Sequence, residues 1–210
     1  MTRLLALAAL SVLIPAAAYA QPRALAIRGF GDIGATAFTA EQSFSAILGS
    51  RAGAVFGGGV EVVLPQRIFV SVRASRFSKT GERVFVTDGE RFGLGIPTTV
   101  ALTPLQITGG YRFPPVIGLT PYAGAGPGWY RYTETSQFAA ADEDVSERFS
   151  GFHILGGAEF QLKRWLSLGG ELQWATVPDA IGDDANSVAR EFSESDLGGT
   201  TVRVKVVVGM

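Results

Sequence analysis

The sequence predicts an all-β fold: an eight-stranded antiparallel up-and-down barrel that crosses a membrane, preceded by a cleavable export signal. Three observations point there. Apolar and polar residues alternate with period two along the chain beyond residue 21. The connectors between the alternating segments are by turns short and long. Glycine is abundant, 27 of 210 residues, while hydrophobic content is an ordinary 47%.

The N-terminus reads as a signal peptide spanning residues 1–20. Arg3 is its only charge, an apolar run extends from Leu4 to Ala17, and Ala18-Tyr19-Ala20 supplies the A-x-A pattern of a cleavage site before Gln21. The run is shorter than the ~20 apolar residues of a spanning helix, and Pro15 interrupts it. Export through the Sec pathway follows, with residues 21–210 as one β-barrel domain. Loss of Arg3 with the leader takes the net charge from −1 to −2, which gives no electrostatic reason to bind nucleic acid. There is no cysteine, so a secreted fold of this size needs another stabilising device, and a closed sheet in lipid is one.

The alternation marks eight segments: 23–38, 53–64, 68–86, 98–113, 121–135, 148–161, 166–177 and 200–210. No helical stretch is expected beyond Gln21. At the C-terminus Val202, Val204, Val206 and Val208 share one face, with Arg203, Lys205 and Val207 on the other. Val60, Val62 and Leu64 oppose Glu61, and Ile68, Val70, Val72 and Ala74 oppose Arg73. In the seventh segment Leu166, Leu168, Leu172 and Trp174 oppose Glu171 and Gln173.

Short connectors at Pro65-Gln66-Arg67, 114–120 and 162–165 alternate with longer ones at 39–52, 87–97, 136–147 and 178–199. Turns at one end and long polar loops at the other are the arrangement of an even-stranded outer-membrane barrel. It implies periplasmic turns and termini and extracellular loops. A soluble periplasmic barrel is the other all-β reading, but gives no reason to sort the loops this way. Aromatics form two expected girdles: Tyr111, Phe113, Tyr122, Phe160 and Trp165 near the turns, and Trp129, Tyr130, Tyr132, Phe149, Phe152 and Trp174 toward the loops.

Gly109-Gly-Tyr-Arg-Phe113, the segment Pro121-Tyr-Ala-Gly-Ala-Gly-Pro-Gly-Trp-Tyr-Arg-Tyr132 and Gly156-Gly-Ala-Glu-Phe160 resemble the small outer-membrane β-barrel family of the OmpA membrane domain, OmpX and the opacity proteins. The resemblance covers the whole mature chain. It implies a barrel inserted by the outer-membrane assembly machinery, with outer-membrane lipid and lipopolysaccharide as its surroundings and a monomeric state. Members serve as structural proteins, adhesins or narrow channels. They usually end in an aromatic residue, where this chain ends Val208-Gly209-Met210.

With the apolar rows toward lipid, the opposite rows place a polar network in the lumen: Glu61, Arg73, Gln106, Arg112, Arg131, His153, Glu159, Glu171, Arg203 and Lys205, joined by Thr108, Gln161 and Gln173. An eight-stranded interior is barely wide enough for its own side chains, and buried charges there must be paired. Glu61, Glu159 and Glu171 are therefore expected to accept from Arg73, Arg112, Arg131 and Arg203.

The lone His153 is the candidate for catalysis. Lipid-modifying barrels such as PagL and PagP use a His with a Ser or acidic partner, but His153 is followed by Ile154 and Leu155 and its alternation turns it away from lipid. No catalytic residue and no cofactor are expected. One His and no Cys exclude an ordinary zinc site. The acidic residues Asp142, Glu143, Asp144 and Glu147, and the pair Asp183-Asp184, lack the spacing of an EF-hand loop. The expected role is structural or surface-interacting, exerted through extracellular loops whose surface or host ligand the sequence does not specify; the alternatives are a narrow pore or small-molecule carrier and, less favoured, a lipid-modifying enzyme.

Overall fold

A computed structural model describes residues 25–87, 90–136, 145–182 and 187–209. The leader with its site at Ala18, Ala20 and Gln21, the acidic residues 142–144 and 183–184, and Met210 lie outside the described residues.

Eight antiparallel strands follow one another in chain order: β1 Ala26–Phe38, β2 Ala52–Val63, β3 Ile68–Thr87, β4 Glu90–Arg112, β5 Leu119–Ser136, β6 Val145–Lys163, β7 Leu166–Thr176 and β8 Gly199–Gly209. Each pairs with its sequence neighbour, and β1 closes on β8 from Arg28 opposite Gly209 to Phe38 opposite Gly199. Closure leaves no free sheet edge. No described helix is long and apolar enough to cross a membrane.

Alternation separates the two faces. Outside stand Ile33, Val60, Val70, Val72, Leu105, Ile107, Ile154, Leu172, Val202, Val204 and Val206, all exposed. An apolar belt of this kind is stable against lipid and costly against water. Tyr111, Phe113, Phe160 and Trp165 ring the belt near the short turns, and Trp129, Phe152 and Trp174 ring it near the loops. Trp165 and Trp174 are nine positions apart. At ~3.3 Å per residue and a tilt of ~40°, that separates the rings by about 23 Å, close to the ~25 Å apolar band of outer-membrane barrels. Tyr122, Tyr130, Tyr132 and Phe149 do not join the rings. They occupy the inward rows and pack inside, because each is one position out of phase with an outward neighbour.

Three connectors differ from expectation. The β3–β4 hairpin has no long loop: its strands stay paired to Thr87 opposite Glu90, past a bulge between Glu82 and Val84. In the first connector a helix, α1 (Glu41–Leu48), replaces the expected loop, and Gly49 closes it at φ 72°. Phe44, Ile47 and Leu48 give it an apolar stripe of helical spacing. Two turns are too short for that stripe to stand out as a sustained pattern. A single turn of helix, α2 (Val188–Glu191), lies in the last connector.

Candidate functional site

Inward rows from all eight strands fill the barrel in two storeys. Toward the turn end the filling is charged. Arg28 on β1 bonds Glu61 on β2, and its Nη1 donates to Glu159 Oε2 at 2.9 Å. Arg112 on β4 donates through Nη1 to Glu61 at 3.3 Å and through Nη2 to Glu159 at 2.6 Å. Lys205 Nζ on β8 stands 3.0 Å from Glu159. Glu159 on β6 thus collects three cations from three strands.

One step further in, Arg73 on β3 grips Glu171 on β7 with both terminal nitrogens, at 2.5 and 3.0 Å. Tyr122 on β5 donates its hydroxyl to the same carboxylate at 3.0 Å. Asp32 on β1 lies between Arg73 Nε at 3.2 Å and Arg203 Nε at 3.4 Å. Arg203 also donates to Gln173 at 2.8 Å. Two cations lie over the Phe30 ring, Arg73 at 5.1 Å and Lys205 at 5.2 Å from its centroid. Fitting Tyr122 here requires the bare wall at Gly157, where a Cβ would sit 2.5 Å from the tyrosine hydroxyl.

Most of the lumen residues named from sequence lie in this network. Glu61, Arg73, Gln106, Arg112, His153, Glu159, Glu171, Arg203 and Lys205 are all buried. Gln106 donates to Tyr130 at 3.0 Å, and His153 Nε2 shares a 2.8 Å hydrogen bond with Thr108. His153 is fully buried, on the lumen side of the wall and away from the lipid belt.

Arg131 is a correction. It is exposed on the outer face beside Trp129 and donates to Ser146, since Tyr122 and Tyr130 fix the inward phase of β5. Gln161 keeps the inward phase but lies beyond the end of the filling, exposed, and bonds the Arg164 carbonyl. Sequence reasoning missed Arg28 and Asp32, although Ile27 and Ile33 on the alternate row of β1 signal that both point inward. Among the described residues the corrected inventory is five cations against four carboxylates, held by ion pairs rather than left for an external counterion.

Toward the loop end the filling changes to apolar. Phe38, Phe44, Leu48, Phe77, Val100, Leu102, Tyr130, Ala175, Val177 and Leu197 form one buried cluster. Phe38 stacks on Phe44 at 4.1 Å and meets Phe77 edge-on at 4.9 Å. Helix α1 is therefore a plug in the barrel mouth. Glu194 holds the helix there, and Asp196 fastens the end of the segment that carries Glu194 to β7. Glu194 accepts from the backbone of Gln42 and Ser43, at 2.9 and 2.8 Å, and from the Ser43 hydroxyl at 2.6 Å. Asp196 accepts from the Thr176 hydroxyl, Val177 N and Gly198 N at 2.7, 2.8 and 2.6 Å. A void of about 40 Å³ marks the boundary between the storeys, beside Ser75, Gln106 and Arg203. It is large enough for a water or two and no larger solute.

The outer membrane protein beta-barrel domain family matches residues 4–208. The chain belongs to that family. Membership makes this an outer-membrane barrel. No curated protein matches the sequence, but solved structures share the fold. A major outer membrane protein from Thermus thermophilus is similar over 90% of this chain and 100% of its own, at 13% identity and a TM-score of 0.58. OprG from Pseudomonas aeruginosa is similar over 89% of this chain and 95% of its own, at 10% identity and a TM-score of 0.55. Ail, the attachment invasion locus protein of Yersinia pestis solved with the heparin analogue sucrose octasulfate, is similar over 89% and 98%, at 11% identity and a TM-score of 0.50. At such identities the likeness is one of fold alone.

Proposed function

We propose that this barrel is a closed scaffold that acts at the cell surface through its loop end, with turns and termini in the periplasm and lipopolysaccharide among its contacts. The carrying observation is the filling of the lumen: among the described residues, ion pairs from seven strands and the Tyr122 hydroxyl of β5 at one end, and an apolar plug at the other, close on a void of about 40 Å³ between them. A barrel with its interior filled has the loop end, with α1, the β3–β4 hairpin and residues 177–182 and 187–198, as the part left to meet a partner. Ail, which shares the fold, is named for attachment and was solved with a heparin analogue; a surface-contact role follows the same logic here. The narrow-pore reading has no support in the geometry. An enzymatic reading fares no better, because His153 faces the sealed interior.

The test exchanges residues 39–51 and 177–198 for short turns and compares attachment of expressing cells to surfaces coated with heparin or lipopolysaccharide. The expected result is a barrel that still shows heat-modifiable gel migration but whose cells no longer attach; attachment equal to that of the parent chain would contradict the proposal. Orientation is read separately. The chain lacks cysteine, so Gln42→Cys at the loop end and Gln66→Cys at the turn end report it uniquely. A membrane-impermeant maleimide on intact cells should label the first and not the second.

A further inference from the structure

A cavity of about 540 Å³ opens at the loop end, between α1, strands β3 to β6 and residues 180–182 and 187–189. Its size falls within the ~300–1,000 Å³ of small-molecule sites. It is blind: Phe44, Leu48 and Val100 line it and belong to the apolar plug beneath, which separates it from the charged lumen. One wall is apolar, where Ile47, Val84 and Val188 pack together. The other is acidic and aromatic. Tyr132 and Glu147 are cross-strand partners, and the Tyr132 hydroxyl donates to Glu134 at 3.0 Å, so two carboxylates and a phenol ring converge at the mouth. Arg83 also lines the cavity and is engaged in interactions of its own.

We propose that this cavity binds a small amphipathic cation, with its ammonium group against Glu134, Glu147 and the Tyr132 ring and its hydrocarbon body against Ile47, Val84 and Val188. Both halves follow from chemistry. Carboxylates beside an aromatic ring favour an ammonium that is partly stripped of water. They repel an anion of the same shape, and the apolar wall rewards burial of a hydrocarbon body. This site is independent of the attachment reading, since it needs no macromolecular partner.

The test uses the full chain folded in lipid nanodiscs, titrated calorimetrically with 4-phenylbutylammonium and with 5-phenylpentanoate, and empty nanodiscs to measure partition into lipid. Saturable binding of one ammonium per barrel is expected, with the carboxylate at least tenfold weaker. Glu134→Gln with Glu147→Gln should weaken the ammonium at least tenfold while leaving heat-modifiable migration unchanged. Val84→Trp, which fills the apolar wall, should remove saturable binding, and Ile47→Trp serves in its place if that variant does not fold. Uptake no different from empty nanodiscs, equal affinity for the two probes, or a double glutamine variant that binds as the parent does would each overturn the proposal. Cell attachment is scored separately, so failure of either proposal leaves the other standing.

Discussion

The two storeys of the barrel interior are built on opposite chemistry and close the same pore. Toward the turn end the inward charged groups are paired with carboxylates or cations of other strands, as Arg73 is with Glu171 and Arg112 with Glu159. Toward the loop end, Phe38, Phe77 and Leu197 meet Phe44 of α1 with no charge among them. The charged storey depends on mutual compensation between its cations and carboxylates. The apolar storey depends on volume, and on the Glu194 carboxylate that bonds the start of its α1 lid. One is rigid because its members need one another; the other because a helix has been pinned over it.

Replacing one member of the charged storey should have the largest effect. Glu171→Leu leaves Asp32 as the one carboxylate shared by Arg73 and Arg203 and should cost ~3–5 kcal/mol, the range for removing one partner of a buried ion pair, measured by urea unfolding in lipid vesicles. Leu197→Ala in the apolar storey opens a cavity and should cost ~2–4 kcal/mol in the same assay. If the two rank the other way, compensation is not what holds the charged storey. Glu194→Ala removes the acceptors at the α1 terminus and should cost ~0.5–2 kcal/mol, with hydrogen exchange rising in α1 and not in β3 or β7. Arg131→Ala, on the outer face, should change stability by no more than ~0.5 kcal/mol; a loss comparable to that of Glu171→Leu would return Arg131 to the lumen.

How much of this was legible in the sequence varies with position along the strands. In β7 and β8 the rows are chemically distinct, Val202, Val204 and Val206 against Arg203 and Lys205, so the inward face follows directly from a period of two. In β5 it does not. Trp129 and Tyr130 are adjacent aromatics with opposite destinations, and Gly and Ala elsewhere carry no preference, so charge alone points Arg131 to the lumen. Only closure of the sheet fixes the phase. The apolar storey is hidden for a related reason: near the loop end residues such as Val100, Ala101 and Leu102 are apolar on both faces, and polarity stops distinguishing lipid from interior. Its lid is also a tertiary feature, because α1 acquires an apolar surface to cover only once the strands have closed.

Single-channel recording of the folded chain in a planar lipid bilayer tests the central claim of closure most directly. The two-storey filling predicts no conductance steps above the bare bilayer for the parent chain. Stable, reproducible steps from the parent barrel would mean that ions pass through the ion-pair network and the α1 plug, and would contradict the account.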